Sequence, residues 1–476
     1  MGAICGSTED HALQGESCLP SQKILASPRL IGENDNASPR STPDQSRDVF
    51  WRHLPGWTGI EAADFSDPLW QERNAVTRPD QLQKVLGALL ADELMVDLEA
   101  GLRQAPMAMR ITPYILALID WAQPRADPLR RQFLPLASEM TPSHPLLGLD
   151  SLAETSDSPV PGLVHRYPDR ALFLATDRCP VYCRFCTRSY SVGDFTGQVT
   201  KQRNAPTRER WQAVFDHLRA TPAIADVVIS GGDCFRLKPS QIGEIGDQLL
   251  SIPHLRRIRF ATKGLAILPM KITHDREWTD TLCRLAERGR RQRVEVCFHT
   301  HFNHPNEITH FTEAAAALLF ERGVPMRNQS VLLRRVNDSP AVMAELIKRL
   351  SDLHVHPYYV YACDLVEGTE DLRITLSDVC RIEKAVRGVT AGYNTPAFVV
   401  DAPGGGGKRI AHSYEIYDRE IGLAVYTAPA VKPGAYHVYP DPLRGLAPEI
   451  QSAWADPGSA RDMIESVIAA ARAAGG

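Results

Sequence analysis

From about residue 160 onward, short apolar runs of strand length alternate with amphipathic helical stretches. That alternation restricts the possible folds more than any other feature of the chain. ALFLAT (171–176), DVVIS (226–230), RIRFAT (257–262), VEVCFHT (294–300), NQSVLL (328–333) and YYVYA (358–362) form the series. In TRERWQAVFDHLRA, between the first two, Thr207 is placed to cap a helix, and Trp211, Val214, Phe215 and Leu218 share one face. TEAAAALLFERG (312–323) is a second helix, stopped by Gly323. Repetition of strand and helix predicts an α/β fold with a parallel sheet, open or closed into a barrel. Barrels collect their chemistry on loops that follow the strand C-termini. Here cysteines follow the first run, GGD (231–233) the second, THFNHPNE (300–307) the fourth and CDLVEG (363–368) the sixth, so a barrel is expected.

The flanks read differently. Residues 1–45 are rich in Ser, Pro, Gly and Asp without an apolar period, the composition of a disordered leader. Residues 46–155 read as a helical region: VLGALLADELMVDLEAGLRQ and ITPYILALIDWA repeat apolar residues at three and four steps, and Trp51, Trp57, Trp70 and Trp121 add bulk. The barrel is expected over 156–395, with a C-terminal segment at 396–476. A net charge of -4 without a basic run implies no nucleic-acid partner. No apolar stretch is long enough to span a bilayer, and MGAICGSTED lacks a secretory pattern. Ten cysteines in 476 residues is not the density of a disulfide scaffold, so a reducing, cytoplasmic setting is expected.

Three of those cysteines are bunched: in DRCPVYCRFCTRS, Cys179, Cys183 and Cys186 are spaced C-x3-C-x2-C. A structural zinc site wants four ligands in paired sets. Three thiolates can instead hold three irons of a [4Fe–4S] cluster and leave one iron open to a small molecule. Structural zinc or iron–sulfur binding, with no enzymatic role, is the plainer alternative. After the second run comes SGGD (Ser230, Gly231, Gly232, Asp233), where two glycines would let backbone approach a ligand and Asp233 could accept from an ammonium. An ordinary turn would read the same way.

VVDAPGGGGKRI (399–410) is the other informative stretch. It is not a P-loop, because Ala402 stands where the first glycine belongs and Arg409 where Ser or Thr should follow the lysine. A flexible linker would lack the apolar FVV before it. Lys408 on a glycine turn suits a Schiff-base lysine for pyridoxal phosphate. In HRYPDR, Arg166 and Arg170 could take the phosphate, against the alternative of solvent-facing charge.

With Phe185 before the last cysteine, the cluster motif resembles that of the radical S-adenosylmethionine enzymes. HRYPDR, CPVYCRFCTR, SGGD, THFNHPNE, NQSVLL, CDL and DAPGGGGK together, over roughly Trp51 to Tyr417, resemble the lysine 2,3-aminomutase family. The resemblance implies a partial (β/α)6-type radical S-adenosylmethionine barrel between the helical region and a C-terminal pyridoxal phosphate-binding segment. It implies a [4Fe–4S] cluster on Cys179, Cys183 and Cys186. It places S-adenosyl-L-methionine near Ser230, Gly231, Gly232, Asp233, His301 and Gln329. Pyridoxal 5′-phosphate would sit on Lys408, with Arg166 and Arg170 near its phosphate. Arg188 would take the substrate α-carboxylate, and Asp364 and Asp401 its distal cation. Two carboxylates side by side repel unless a cation relieves them, so a basic amino acid is favoured.

The implied reaction moves the α-amino group of L-lysine to give β-lysine, by a 5′-deoxyadenosyl radical mechanism on a pyridoxal phosphate aldimine. L-arginine, or a protein-bound lysine, is the competing substrate, and a flavodoxin or ferredoxin is the implied electron donor. His301 and His304 form an H-x2-H half-site without a third ligand, and packing in the adenosyl pocket is the expected use. After Cys380 there is no cysteine, so AYHVYPDPLRG cannot make the zinc-binding C-terminal site common in the family. A homo-oligomer would have to form without it.

Overall fold

The computed structural model describes residues 49–474, and the leader expected at 1–45 lies outside the described residues. A nine-stranded sheet forms the centre, its strands adjacent in chain order. β1 (Leu163–Tyr167) runs antiparallel to β2 (Arg170–Thr176). β3 (Asp226–Gly231), β4 (Arg257–Ala261), β5 (Glu295–Thr300), β6 (Met326–Val331), β7 (Val355–Tyr361) and β8 (Ala397–Ala402) continue parallel from β2. β9 (Gly407–Ile410) returns antiparallel to β8. The six expected strands are β2 to β7. The sheet goes on past residue 396, where the C-terminal segment was expected to begin, because AFVVDA supplies a further parallel strand. Barrel closure is nearly complete: across the gap between the edge strands, Tyr167 Oη accepts the backbone N–H of Lys408 at 3.0 Å.

The helices pack as the apolar periods require. In helix Arg208–Ala220, Trp211, Val214, Phe215 and Leu218 are buried, with Thr207 accepting from the Arg210 N–H at 3.4 Å. Phe173 of β2 meets Trp211 and Phe215 edge-on, centroids 6.2 and 5.7 Å away. Large aromatic burial of this kind dominates core energetics. The N-terminal region is helical as expected, but its long apolar run breaks at Gly87, whose φ of 52° ends helix Pro79–Leu86 before Asp92–Gln104 begins. Trp51 stacks on Phe65 with centroids 4.0 Å apart, and this aromatic group is continuous with the barrel core.

Past β9 the chain forms a second, antiparallel sheet of β10 (Ile416–Asp418), β11 (Leu423–Ala428) and β12 (Lys432–Pro440), which shares a core with helix Pro457–Ala474. AYHVYPDPLRG is largely the end of β12. Asp441, just beyond it, accepts from the Leu376 N–H at 2.7 Å and the Tyr417 hydroxyl at 2.5 Å, tying this sheet to helix Leu376–Val386. Among the described residues no helix is long and apolar enough to cross a membrane.

The loops after β2 and β3 are locked together. Gly232 N–H donates to Thr176 O at 2.6 Å and Asp233 N–H to Arg178 O at 2.9 Å. Gly231 takes a φ of 97°, and a Cβ there would lie 3.1 Å from Leu174 Cα. At Gly232 a Cβ would stand 2.6 Å from the Arg178 nitrogen, in backbone that cannot swing aside. The close approach these glycines permit is thus to the strand that leads into the cysteines. Gly232→Ala should force the two loops apart: thermal stability should fall and the three thiols of the metal-free protein should react faster with a thiol reagent. Unchanged thiol reactivity would show that the lock does not hold the cysteine loop.

Candidate active site

One cavity at the C-terminal end of the strands is lined by Cys179, Cys183, Cys186, Arg188, Gly231, Gly232, Asp233, His301, Gln329, Asp364, Asp401, Lys408, Arg166 and Arg170. Ser230 lines it as well, so every residue assigned above to a cofactor or to the substrate faces the same space. Most arrive there on a loop after a parallel strand or at a strand end, whereas Gln329 lies within β6 and Arg166 and Arg170 flank the bend between β1 and β2.

The glycine run is a hairpin turn between β8 and β9. Gly404, Gly405 and Gly407 have φ of 67°, 88° and 72°, values open to glycine at little cost. A Cβ on Gly407 would lie 2.6 Å from the Tyr167 hydroxyl. The turn sets Asp401 and Lys408 directly opposite each other in the ladder. Residues so paired project to the same face, and Lys408 Nζ lies 3.0 Å from Asp401 Oδ2. Burial alone would lower the Lys408 ammonium, but Asp401 outweighs it and holds the lysine charged.

Asp364 completes an acidic pair. Its Oδ2 accepts from the Thr187 hydroxyl at 2.9 Å, and burial followed by the charge of Asp401 pushes its carboxyl up to about 7. Asp364 Oδ1 and Asp401 Oδ1 are both buried without a hydrogen-bond partner. Buried carboxylate oxygens are rarely left unpaired unless a ligand claims them. Arg188, facing them, is bidentate to Glu154, Nε to Oε2 at 2.9 Å and Nη2 to Oε1 at 2.7 Å, and Tyr190 Oη donates to the same carboxylate at 2.9 Å. Burial opposes the Arg188 charge and Glu154 more than restores it.

The three cysteines are free thiols, and burial pushes all three up, Cys183 to about 12. All three line the cavity. Among the described residues no three His, Cys, Asp or Glu are grouped as ligands of a single ion. Thiolates on separate irons of a cluster need not converge as the ligands of one tetrahedral zinc do. Phe185 stacks on His301, centroids 5.7 Å apart, and burial drives the His301 imidazole well below its usual range, leaving a neutral ring with Nε2 unpartnered. His304 is separate from it: its Nδ1 accepts from the Asn306 N–H at 3.1 Å as a local cap. Asp233 spends its carboxylate on the Phe235 and Lys263 N–H groups and the Thr262 hydroxyl, at 2.9, 2.7 and 2.5 Å.

The arginines four apart straddle the bend between β1 and β2. Arg166 Nε donates to Asp157 at 2.7 Å, whereas Arg170 lies over the Tyr167 ring at 4.0 Å and is half-exposed. Sequence reasoning missed the loop that organises much of this. Within 150–158, Glu154 holds Arg188, Asp157 holds Arg166, and Ser151 O accepts from the Gly404 N–H at 2.9 Å. Its sequence, DSLAETSDS, has no period, and its one signal is three acids ahead of HRYPDR. Tyr167, Thr187, Lys263 and Tyr361 were also missed.

Asp364 makes the site unstable on its own. Its carboxyl is raised in the folded protein, so its contribution to stability is fully present below the unfolded value and is lost as pH rises through about 7. Asp364→Asn should therefore stabilise the ligand-free protein by about 1–3 kcal/mol at pH 8. The gain should shrink as pH falls toward 4, as followed by thermal unfolding across pH. An equal or negative effect at high pH would remove the charge conflict from the account.

The model of the family described as lysine-2,3-aminomutase matches residues 382–417. The L-lysine 2,3-aminomutase of Clostridium subterminale is 42% identical over 73% of this chain and 78% of its own length. That of Acetoanaerobium sticklandii is 38% identical over 76% of this chain and 80% of its own. The glutamate 2,3-aminomutase of Clostridioides difficile is 32% identical, covering 72% and 76%. At this identity and coverage, the chain belongs to the lysine 2,3-aminomutase family of isomerases.

Proposed function

We propose that this protein is a 2,3-aminomutase of a basic amino acid, with L-lysine as substrate and β-lysine as product. The observation that carries the choice is the pair of orphaned oxygens, Asp364 Oδ1 and Asp401 Oδ1, in the cavity that also holds Lys408 and the three thiols. An acidic side chain would be repelled there, whereas an ammonium satisfies both oxygens at once.

The donor set fits the family's cofactors. Three free thiols lining the same cavity suit a [4Fe–4S] cluster with one iron left open. The stacked, unpartnered His301 ring, Gln329 and the SGGD loop border the space beside them, where S-adenosyl-L-methionine would lie. Lys408 offers the amine for pyridoxal 5′-phosphate, and Arg170, with no acidic partner but its neighbour Asp169 at 3.9 Å, suits the phosphate alongside Arg166. The chemistry such groups supply is hydrogen-atom abstraction by an adenosyl radical, and a carbonyl with an extended π-system that can hold a migrating amine.

The residues of the chain do the rest. Lys408 must lose its proton before it can act as a nucleophile, and Asp401, at 3.0 Å, can take it and hand it on to solvent. Once that proton has left the pair, Asp401 is again a carboxylate beside a neutral lysine, and the distal ammonium of the substrate provides its cation. One carboxylate thereby serves the lysine first and the substrate afterwards. Arg188 is oriented by Glu154 with Nη1 left for the substrate carboxylate. Tyr361, its ring 5.5 Å from Lys408 Nζ, helps exclude water. The two ends of an amino acid are then fixed, which places its C2 and C3 reproducibly.

Lys408→Ala should abolish turnover and the pyridoxal absorbance while leaving the iron content intact. With the wild-type protein, anaerobic assays of lysine, arginine and glutamate side by side should give the fastest amino migration with lysine. Arginine as the better substrate would overturn the lysine assignment, and full activity of the Lys408 variant would overturn the site.

A further inference from the structure

Lys201 is a buried cation that the reaction as derived above does not use. It is 4% exposed. Its Nζ donates to the carbonyls of Pro106, at 2.5 Å, and Ser189, and lies 3.8 Å from Met107 Sδ. Ser189 belongs to the cysteine loop, three residues beyond Cys186. Both oxygen partners are neutral dipoles, and among the described residues no carboxylate lies within ion-pair distance of Lys201. A buried charge ordinarily has a counter-charge.

Four other cations around the cysteine loop each have one. Arg188 is paired with Glu154 at 2.7 Å, Lys263 with Glu307 at 2.7 Å, Arg184 with Asp371 at 2.8 Å, and Arg178 with Asp194. Burial pulls the Lys201 ammonium down to about 8, and a negative charge at Cys186 would work against this. What Lys201 lacks as a partner, a cluster on this loop would provide. A cluster core of charge two-plus with three thiolates carries one net negative charge, and one-electron reduction makes it two.

We propose that Lys201 is the built-in counter-charge of the cluster held by Cys179, Cys183 and Cys186, and that it raises the cluster's midpoint potential. This rests on those cysteines being cluster ligands. The step concerned adds one electron from a one-electron carrier of the flavodoxin or ferredoxin class and moves no proton. The fixed positive charge favours the more negative, reduced state, as charge and hydrogen bonding near the sulfurs do generally. Lys201 acts through the cluster and is a positioning and tuning residue.

The test uses the full chain, reconstituted anaerobically with iron and sulfide, without substrate. Redox titration followed by electron paramagnetic resonance compares wild type with Lys201→Gln and Lys201→Arg, with iron counted in each. Gln, which keeps a donor but not the charge, should hold the same iron at a more negative midpoint potential, and Arg should restore the wild-type value. Full iron with an unmoved potential in the Gln variant would overturn the proposal. Should Gln lose iron, Arg decides: iron and potential retained support the charge, whereas loss in Arg as well makes Lys201 a tether and overturns it. A wild-type protein that takes up no four-iron cluster overturns the cysteine reading itself, a distinct failure that takes the proposal with it.

Discussion

An ammonium and a carboxylate facing each other across a two-stranded hairpin organise this molecule. Lys408 and Asp401 are cross-strand neighbours because the glycine run reverses the chain within a few residues, through backbone angles that other residues adopt only with strain. That same hairpin supplies the last strands of the barrel. Through Tyr167 it meets the first strand, and through Gly404 it meets the loop that carries Glu154 and Asp157. Closing the barrel, placing the lysine and aligning the arginines are therefore one structural event. A change that opened the turn would disturb all three, which explains how four glycines can stand in a row where flexibility would be harmful.

The second constraint is the junction between the β2 and β3 loops. Here glycine is needed for a different reason, namely the contact distance between two backbones. The N–H groups of Gly232 and Asp233 bond to the segment that enters the cysteine loop, and the Asp233 side chain braces the β4 loop through Thr262 and Lys263. Three successive strand ends are thereby held in register around the thiols. Asp233 lines the cavity, yet both of its oxygens are engaged with the protein. What it offers a ligand is a shaped wall.

The periodic parts of the sequence were legible: strands β2 to β7 and their helices follow from apolar spacing, because half-buried strands and one-sided helices have few other solutions. The convergence of loops on one cavity followed from barrel geometry. Three parts were not legible. The seventh parallel strand, AFVVDA, abuts the glycine run, so its continuation of the sheet could not be separated from the turn. β10 is only three residues long, Gly422 turns the chain just before β11, and Pro433 and Gly434 stand at the start of β12, so the stability of this sheet comes from Trp454 and the final helix rather than from local pattern. The 150–158 loop has no period at all, and its acids acquire meaning only from the arginines they meet in space. The glycines of SGGD were recognisable as sites of close approach, but sequence could not say whether the approaching group was a ligand or the chain itself.

Charge pairing ties these observations to reactivity. In a low-dielectric cavity every unpaired charge is expensive, so the pattern of pairing states which charges the protein completes by itself and which it leaves for something bound. Arg188, Arg184 and Lys263 are completed internally, and Lys408 is completed by Asp401. Asp364 is left short of a cation, and its carboxyl rises to about 7 as a result of burial and of Asp401. The protein therefore holds, before any ligand enters, an electrostatic deficit of one positive charge at the end of the cavity where a basic side chain would lie. Releasing the Lys408 proton from the pair deepens that deficit, because Asp401 is then a carboxylate with no cation of its own. The affinity for a distal ammonium should accordingly be greatest in the state that is ready to react, so that selection of a basic substrate and readiness of the lysine reinforce each other through one shared carboxylate.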